Sequence, residues 1–277
     1  MRQSTNSSHA LYAEDGEWRL AVFGGGLRYV NANKTGTKGP PLSGWAVAQP
    51  GPGLAPAPRL VAGGLDAPDE LHSRDTVEQN YVAIYYSDDG GRSYSLSDTI
   101  FPASLRGDYT EPQLAETASG SVLLTMGRGA SISERCGGYL CRASALSTSA
   151  GTSFGAPGVV PQLKSPGCQA SILFHPPSRQ LLFSNPDALQ SRKNGTLQSS
   201  RDDGRTWTAV TTIDRGNFGY SCLSLLPSGW GRDDAAGPGP GVGEVNETHV
   251  AVLFEQYSWL AHGVRNYTRL KLAWLRV

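Results

Sequence analysis

Apolar residues along this 277-residue chain come in short runs and not in long helical stripes. The segments YVAIYYS (81–87), SVLLTM (121–126), RASALS (142–147), ASILF (170–174), QLLFS (180–184) and GTLQSS (195–200) are bounded by turn-forming residues such as Gly, Pro, Ser and Asp. Their length and punctuation predict β-strands joined by tight turns. THVAVLFEQ predicts a strand ending at Glu255, NFGYSCLSLLP one that starts just after Tyr220, and RLKLAWLRV a last one. The stretches PGPGLAPAP (50–58) and GRDDAAGPGPGVG (231–243) have neither period and read as surface loops. Neither requires a domain boundary, so residues 1–277 are read as one domain with residues 1–45 poorly assigned.

A phrase recurs between these runs. Ser87, Asp89, Gly91 and Tyr94 fit S-x-D-x-G-x-x-aromatic, and Ser200, Asp202, Gly204 and Trp207 fit it again in the same spacing. A worn copy places Ser147, Ser149, Gly151 and Phe154 in the frame, with serine at the aspartate position. The Ser and Asp side chains can bond turn backbone, glycine permits positive φ, and the aromatic packs beneath, so each copy is expected to close a hairpin. Two to four short strands per copy is the content of a propeller blade.

Composition narrows the partners. The 34 glycines and 18 prolines disfavour long helices. Twenty-four basic residues cancel 24 acidic ones, which removes the broad field that nucleic-acid and membrane-surface binders carry. No run is long enough to span a membrane as a helix, and the polar opening has no signal-peptide core. Five N-x-Ser/Thr sequons, at Asn6, Asn33, Asn194, Asn246 and Asn266, suit surface loops of a secretory-pathway glycoprotein. Of Cys136, Cys141, Cys168 and Cys222 only the first two are close in sequence, and a disulfide or four buried thiols both remain open. No Cys/His spacing resembles a zinc site.

The repeated phrase resembles the Asp box of sialidases, where it sits on the outer turns of a six-bladed propeller and is structural. The likeness continues in EPQLAETASGSVLLTMGR (111–128). Sialidases of the lysosomal and bacterial exo-acting type open such a segment with a glutamate and end it with an arginine, here Glu111 and Arg128, with one extra residue before the arginine; Arg142 in LCRASAL is the reserve for that position. NPDALQSRKNGTLQSSRDDGRTW looks like the lysosomal-type segment that supplies another substrate arginine, Arg192. G-Y-S in NFGYSCL is similar to the segment of the nucleophile, Tyr220, and F-E at Glu255 resembles the place where a glutamate orients an arginine of the triad.

The resemblance implies an all-β, six-bladed β-propeller of the sialidase type with Asp-box repeats. It implies an exo-α-sialidase that removes terminal sialic acids from glycoproteins, glycolipids and oligosaccharides with retention, without cofactor or metal, in the lysosome or secretory route. Sialic acid bears a carboxylate beside its anomeric carbon, so a neutral phenol can approach where a second carboxylate would be repelled. A free tyrosine, with its pKa of about 10, needs a neighbouring base, for which Glu111 is the candidate. Planar guanidinium groups at Arg128 and Arg192 would grip the carboxylate in paired bonds, and their field is expected to favour ionised Tyr220.

The likeness starts near QPGPG (49–53), about four blades of six. The early F-R-I-P arginine and the acid/base aspartate of the family have no counterpart in residues 1–80, where Arg19, Arg28, Asp15 and Asp66 lack a matching frame. Either the sequence is N-terminally incomplete, with the first blade or blades absent, or the first blades have changed; the polar start and the sequons favour the former. Two rivals stand beside the enzyme: a non-catalytic sialic-acid-binding propeller, and a partner-binding propeller of the sortilin kind that shares only the boxes.

Overall fold

The computed structural model describes residues 6–14, 17–25, 44–48, 59–66, 81–87, 95–98, 109–128, 136, 139–227, 245–259 and 265–277, with the strands before Tyr81 given by their backbone course. Among the described residues seventeen strands follow one another: β1 (Asn6–Glu14), β2 (Glu17–Gly25), β3 (Gly44–Ala48), β4 (Arg59–Asp66), β5 (Tyr81–Ser87), β6 (Ser95–Leu96), β7 (Tyr109–Glu116), β8 (Val122–Arg128), β9 (Cys141–Ser147), β10 (Gly158–Lys164), β11 (Ser171–His175), β12 (Gln180–Pro186), β13 (Lys193–Ser200), β14 (Thr208–Asn217), β15 (Ser221–Pro227), β16 (Val245–Trp259) and β17 (Arg265–Arg276). The sequence-predicted strands coincide with these, except that β16 runs through Glu255 to Trp259 and does not end at it. The two Gly/Pro-rich loops lie outside the described residues.

All pairing is antiparallel between chain neighbours. The strands form the meanders β3-β4-β5-β6, β7-β8-β9-β10, β11-β12-β13-β14 and β15-β16-β17, plus the hairpin β1-β2. The leading strands are neighbours in turn: β3 lies beside β7, β7 beside β11, β11 beside β15, and β1 beside both β15 and β3. Among the described residues there are four meanders and a hairpin where six blades were expected, and no sheet closes on itself.

The short apolar runs have a simple cause: inner strands such as β8 and β12 are buried on both faces, so neither face alternates to polar. On β8, Val122, Leu124 and Met126 pack with Val82 and Ile84 of β5. Leu123, pointing the other way, packs with Leu163, Ile172 and Phe183. On β12, Leu181 and Phe183 face that second cluster while Leu182 enters a third with Phe218, Val252 and Phe254. Buried apolar area of this kind contributes roughly 25 cal/mol per Å².

The repeated phrase joins the third and fourth strands of three meanders. In the copy after β13, Ser200 Oγ accepts from the Gly204 N–H (2.9 Å) and donates to Asp202 Oδ1 (2.8 Å), while Asp202 accepts from the Thr206 N–H (2.9 Å) and hydroxyl (2.6 Å). The worn copy after β9 repeats the scheme: Ser147 Oγ accepts from Gly151 N–H (2.9 Å), and Ser149 Oγ takes the place of the carboxylate and accepts from Ser153 N–H (3.0 Å). Gly204 sits at φ 86°, and a Cβ there would collide with the Leu123 side chain. The aromatics fasten each sheet to the preceding one. Phe154 enters the cluster shared with β5, and Trp207 enters the one shared with β8, tilted against Phe183 at 5.5 Å. Asp89, Gly91 and Tyr94 of the first copy lie outside the described residues.

Phe218, just before β15, is fully buried and stacked on Phe254 at 4.8 Å. A Cβ added to Gly195 on β13 would fall within its ring, so glycine is required for this close approach. The far side of the last meander differs from the rest: Leu270, Leu272 and Trp274 of β17 are exposed at 68%, 54% and 49%. A disulfide joins Cys136 to Cys141, so one of the two readings of the cysteines holds for that pair, whereas Cys168 and Cys222 are outside it.

Two outcomes follow. Asp202→Ala is expected to lower unfolding free energy by about 1–2 kcal/mol in urea titration, and Asp202→Ser, which copies the worn turn, by clearly less. Gly195→Ala is expected to cost about 1–3 kcal/mol by overpacking against Phe218, and an unchanged midpoint would show that the ring moves aside freely.

Candidate functional site

Four residues singled out from the sequence are brought together from three adjacent meanders. Glu111 stands on β7, Arg192 immediately before β13, Tyr220 immediately before β15 and Glu255 on β16. The hydroxyl of Tyr220 donates to the Glu111 carboxylate, and the Arg192 guanidinium lies over the Tyr220 ring with its carbon 5.3 Å from the centroid. Glu255 accepts from the Tyr220 N–H through Oε2 at 3.3 Å. All four side chains are half-buried, so they form one wall open to solvent.

Backbone bonds fix this wall. Phe218 N–H donates to Arg192 O (2.8 Å), Gly219 N–H to Glu255 O (2.7 Å) and Glu255 N–H to Tyr220 O (2.9 Å). Ser221 N–H donates to the buried Gln169 Oε1 at 2.9 Å, which ties the start of β15 to the segment before β11. The nucleophile candidate is thereby held by Glu255 of its own meander and, through Phe218 and Ser221 on either side, by Arg192 and Gln169 of the preceding one.

Glu111 owes its place to a β-bulge. Thr110 pairs with Gly127 but Gln113 pairs with Thr125, so β7 carries one residue more than β8 across Glu111 and Pro112. Glu111 has φ 51°, and Pro112, which has no N–H to lose, is tolerated at such an interruption. Arg128 ends β8 opposite Tyr109, at the same end of the sheet as Glu111; its side chain lies outside the described residues.

Arg142, the reserve for the substrate-binding arginine, is placed otherwise. It is fully buried, and its guanidinium donates to Thr125 Oγ1 (3.4 Å), Cys168 O (3.3 Å) and Glu111 O (3.4 Å) beneath the site. Burial lowers its pKa to about 10, against the raising effect of Glu111. Cys168, also buried, lies in the field of Arg192, Glu111, Arg142 and Glu255, and burial pushes its thiol up to about 12. Sequence reading treated Cys168 only as a disulfide or core thiol. The readable sign for Arg142 was a charge within a strand of otherwise small or uncharged residues, CRASALS.

The expectation that the arginines would favour ionised Tyr220 is corrected. Burial first, then the charge of Glu111, raises the phenol well above its ordinary value, and the opposing influence of Arg192 is too small to reverse this. The resting side chain is a neutral phenol beside the Glu111 carboxylate.

The sequons also differ from expectation. Asn6, Asn194, Asn246 and Asn266 stand at the starts of β1, β13, β16 and β17 and not in loops, and Asn33 lies outside the described residues. Asn194 donates to Asp187 O at 3.3 Å, and Thr196 is buried. Of the N-terminal residues considered, Arg19 lies on β2 and Asp66 on β4, while Asp15 and Arg28 lie outside the described residues. Among the described residues no group of three or more His, Cys, Asp or Glu is arranged to hold a metal ion, and no helix is long and apolar enough to cross a membrane.

No family model matches the chain. It is 33% identical over 152 residues to a sialidase of Micromonospora viridifaciens, a match that covers 52% of the chain and 22% of that protein. It is 30% identical over 164 residues to a sialidase of Bacteroides fragilis strain YCH46, covering 55% and 27%. The matched region thus spans about a quarter of each curated relative's length. Among solved structures, a Hadza microbial sialidase superposes with a TM-score of 0.51 at 22% identity, covering 71% of this chain and 32% of that one. The NanB sialidase from Streptococcus pneumoniae gives 0.53 at 16% identity, covering 79% and 29%. These superpositions show the fold. The curated relatives are bacterial, and nothing in them supports a lysosomal subtype. Over about half of its length the chain is thus similar to curated sialidases, and its all-β fold of antiparallel sheets is similar to that of solved sialidase structures.

Proposed function

We propose that this chain carries the nucleophile side of an exo-α-sialidase site that releases terminal sialic acid from glycoconjugates with retention. The observation that carries the reading is the Tyr220 hydroxyl bonded to the Glu111 carboxylate, with Arg192 over the ring and Glu255 on the backbone behind it. Glu111 takes the phenol proton as the oxygen attacks the anomeric carbon and the glycosidic C–O bond breaks, the leaving oxygen receiving its proton from a general acid. Water then displaces the phenol oxygen, which recovers its proton from Glu111, and sialic acid is released with retention. Arg192, with Arg128 at the end of the neighbouring strand, receives the substrate carboxylate and turns the anomeric carbon toward the phenol. Glu255 fixes the Tyr220 main chain. The six-bladed propeller as a whole, the general acid, and a lysosomal or secretory setting with glycans at Asn194, Asn246 and Asn266 belong to the same reading.

Two measurements test it. With a fluorogenic sialoside, Tyr220→Phe is expected to abolish turnover and Glu111→Gln to lower kcat by about 10²- to 10⁴-fold. Equal turnover by wild type and Tyr220→Phe would refute the assignment, and glycan binding without release of free sialic acid would make this a recognition site.

The second concerns alkali. The folded protein holds the Tyr220 proton more tightly than the unfolded chain does, so the unfolded state releases protons first. Stability linked to this group is therefore full below a pH of about 10 and falls as pH rises past it. Wild type is expected to lose stability faster than Tyr220→Phe over that range in urea titrations, and parallel slopes would contradict the raised phenol.

A further inference from the structure

Arg142 is a cation sealed beneath the wall, and neither the proposed reaction nor the packing of the sheets calls for a charge there. A buried charge stabilises little compared with an apolar side chain of similar volume, so its presence asks for a reason. Its three acceptors come from three different elements: Thr125 from β8, the Glu111 carbonyl from the bulge of β7, and the Cys168 carbonyl from the segment before β11. Its guanidinium carbon also lies 5.8 Å from the Phe183 ring centroid. The donors are arrayed on a rigid planar fork, and a lysine in this position would reach one or two of them.

The bulge is the element that needs holding. Glu111 sits at φ 51° directly before a proline, a position that sterics push toward extended backbone. A backbone in that conformation persists only where its surroundings over-determine it. Relaxation toward the extended region would swing the Glu111 side chain, and the carboxylate bonded to Tyr220 would leave the phenol.

On the sialidase reading above, we infer that Arg142 is a positioning residue for the base: it pins the Glu111 carbonyl in the bulge, and through the Cys168 carbonyl it couples that bulge to the floor under Tyr220. It touches no substrate. Burial lowers its pKa only to about 10, so it keeps its charge at neutral pH.

The test is a double-mutant cycle. Arg142→Lys keeps the charge and is expected to lower kcat for a fluorogenic sialoside by about 10- to 100-fold, the cost of a small misplacement, with KM within about twofold. On the Glu111→Gln background the same change is expected to have no further effect. Equal losses on both backgrounds, which a merely structural role would give, overturn the inference. If Arg142→Lys does not fold, Thr125→Val, which removes one acceptor and leaves the arginine, is read in the same cycle. If wild type turns over no sialoside, the functional reading falls separately. Crystal structures of wild type and Arg142→Lys then decide the role of Arg142: withdrawal of Glu111 from the Tyr220 hydroxyl supports it, and persistence of that contact overturns it.

Discussion

A strand with one residue more than its partner must put the surplus somewhere, and in β7 it goes to Glu111 and Pro112. That local miscount aims a carboxylate at the phenol of Tyr220. Without the bulge the β-pleat would alternate evenly past this point and Glu111 would follow the direction set by its neighbours. Pro112 is compatible with the interruption because it offers no ladder hydrogen bond, and Arg142 receives the exposed carbonyl from below. A covalent peculiarity, a backbone irregularity and a buried cation thus act on one side chain.

The remaining members of the wall depend on how the meanders stack. Tyr220 and Glu255 belong to the last meander, Arg192 to the one before it and Glu111 to the one before that. Their separations are set by interfaces between sheets. Phe218 sits at one of them, pressed between Gly195 and Phe254 two residues from Tyr220, and its N–H is bonded to the carbonyl of Arg192. Core packing and site geometry are therefore the same contacts seen from two sides.

The strands were legible because burial on both faces turns them into short apolar runs, as β8 and β12 show. The box turns were legible because the bonds from Ser200 and Asp202 fix which residue stands where. Tyr220, Glu111, Arg192 and Glu255 were reachable only through their resemblance to a family, since each alone looks like an ordinary surface or packing residue. What stayed hidden was directional. The bulge at Glu111 and Pro112 is set by cross-strand pairing, which a single strand's sequence does not display. Arg142 was weighed as a hand for substrate because sequence marks its charge and not its depth, and the sign of the Tyr220 shift required knowing how deeply the ring is set. The sequons were expected in loops because glycan acceptors suit surface loops, whereas Asn194, Asn246 and Asn266 stand at the starts of strands.

The serine-for-aspartate turn after β9 carries a wider lesson. Ser149 does the work of Asp202 with an uncharged oxygen because the amide of the residue four positions on, and not a charge, selects what can stand there. Evolution is then free to drift between the two letters while the corner keeps its shape. A blade edge of this kind can survive in chains whose spelling has wandered too far for a profile to catch, and it is better sought as a pattern of amides than as a string.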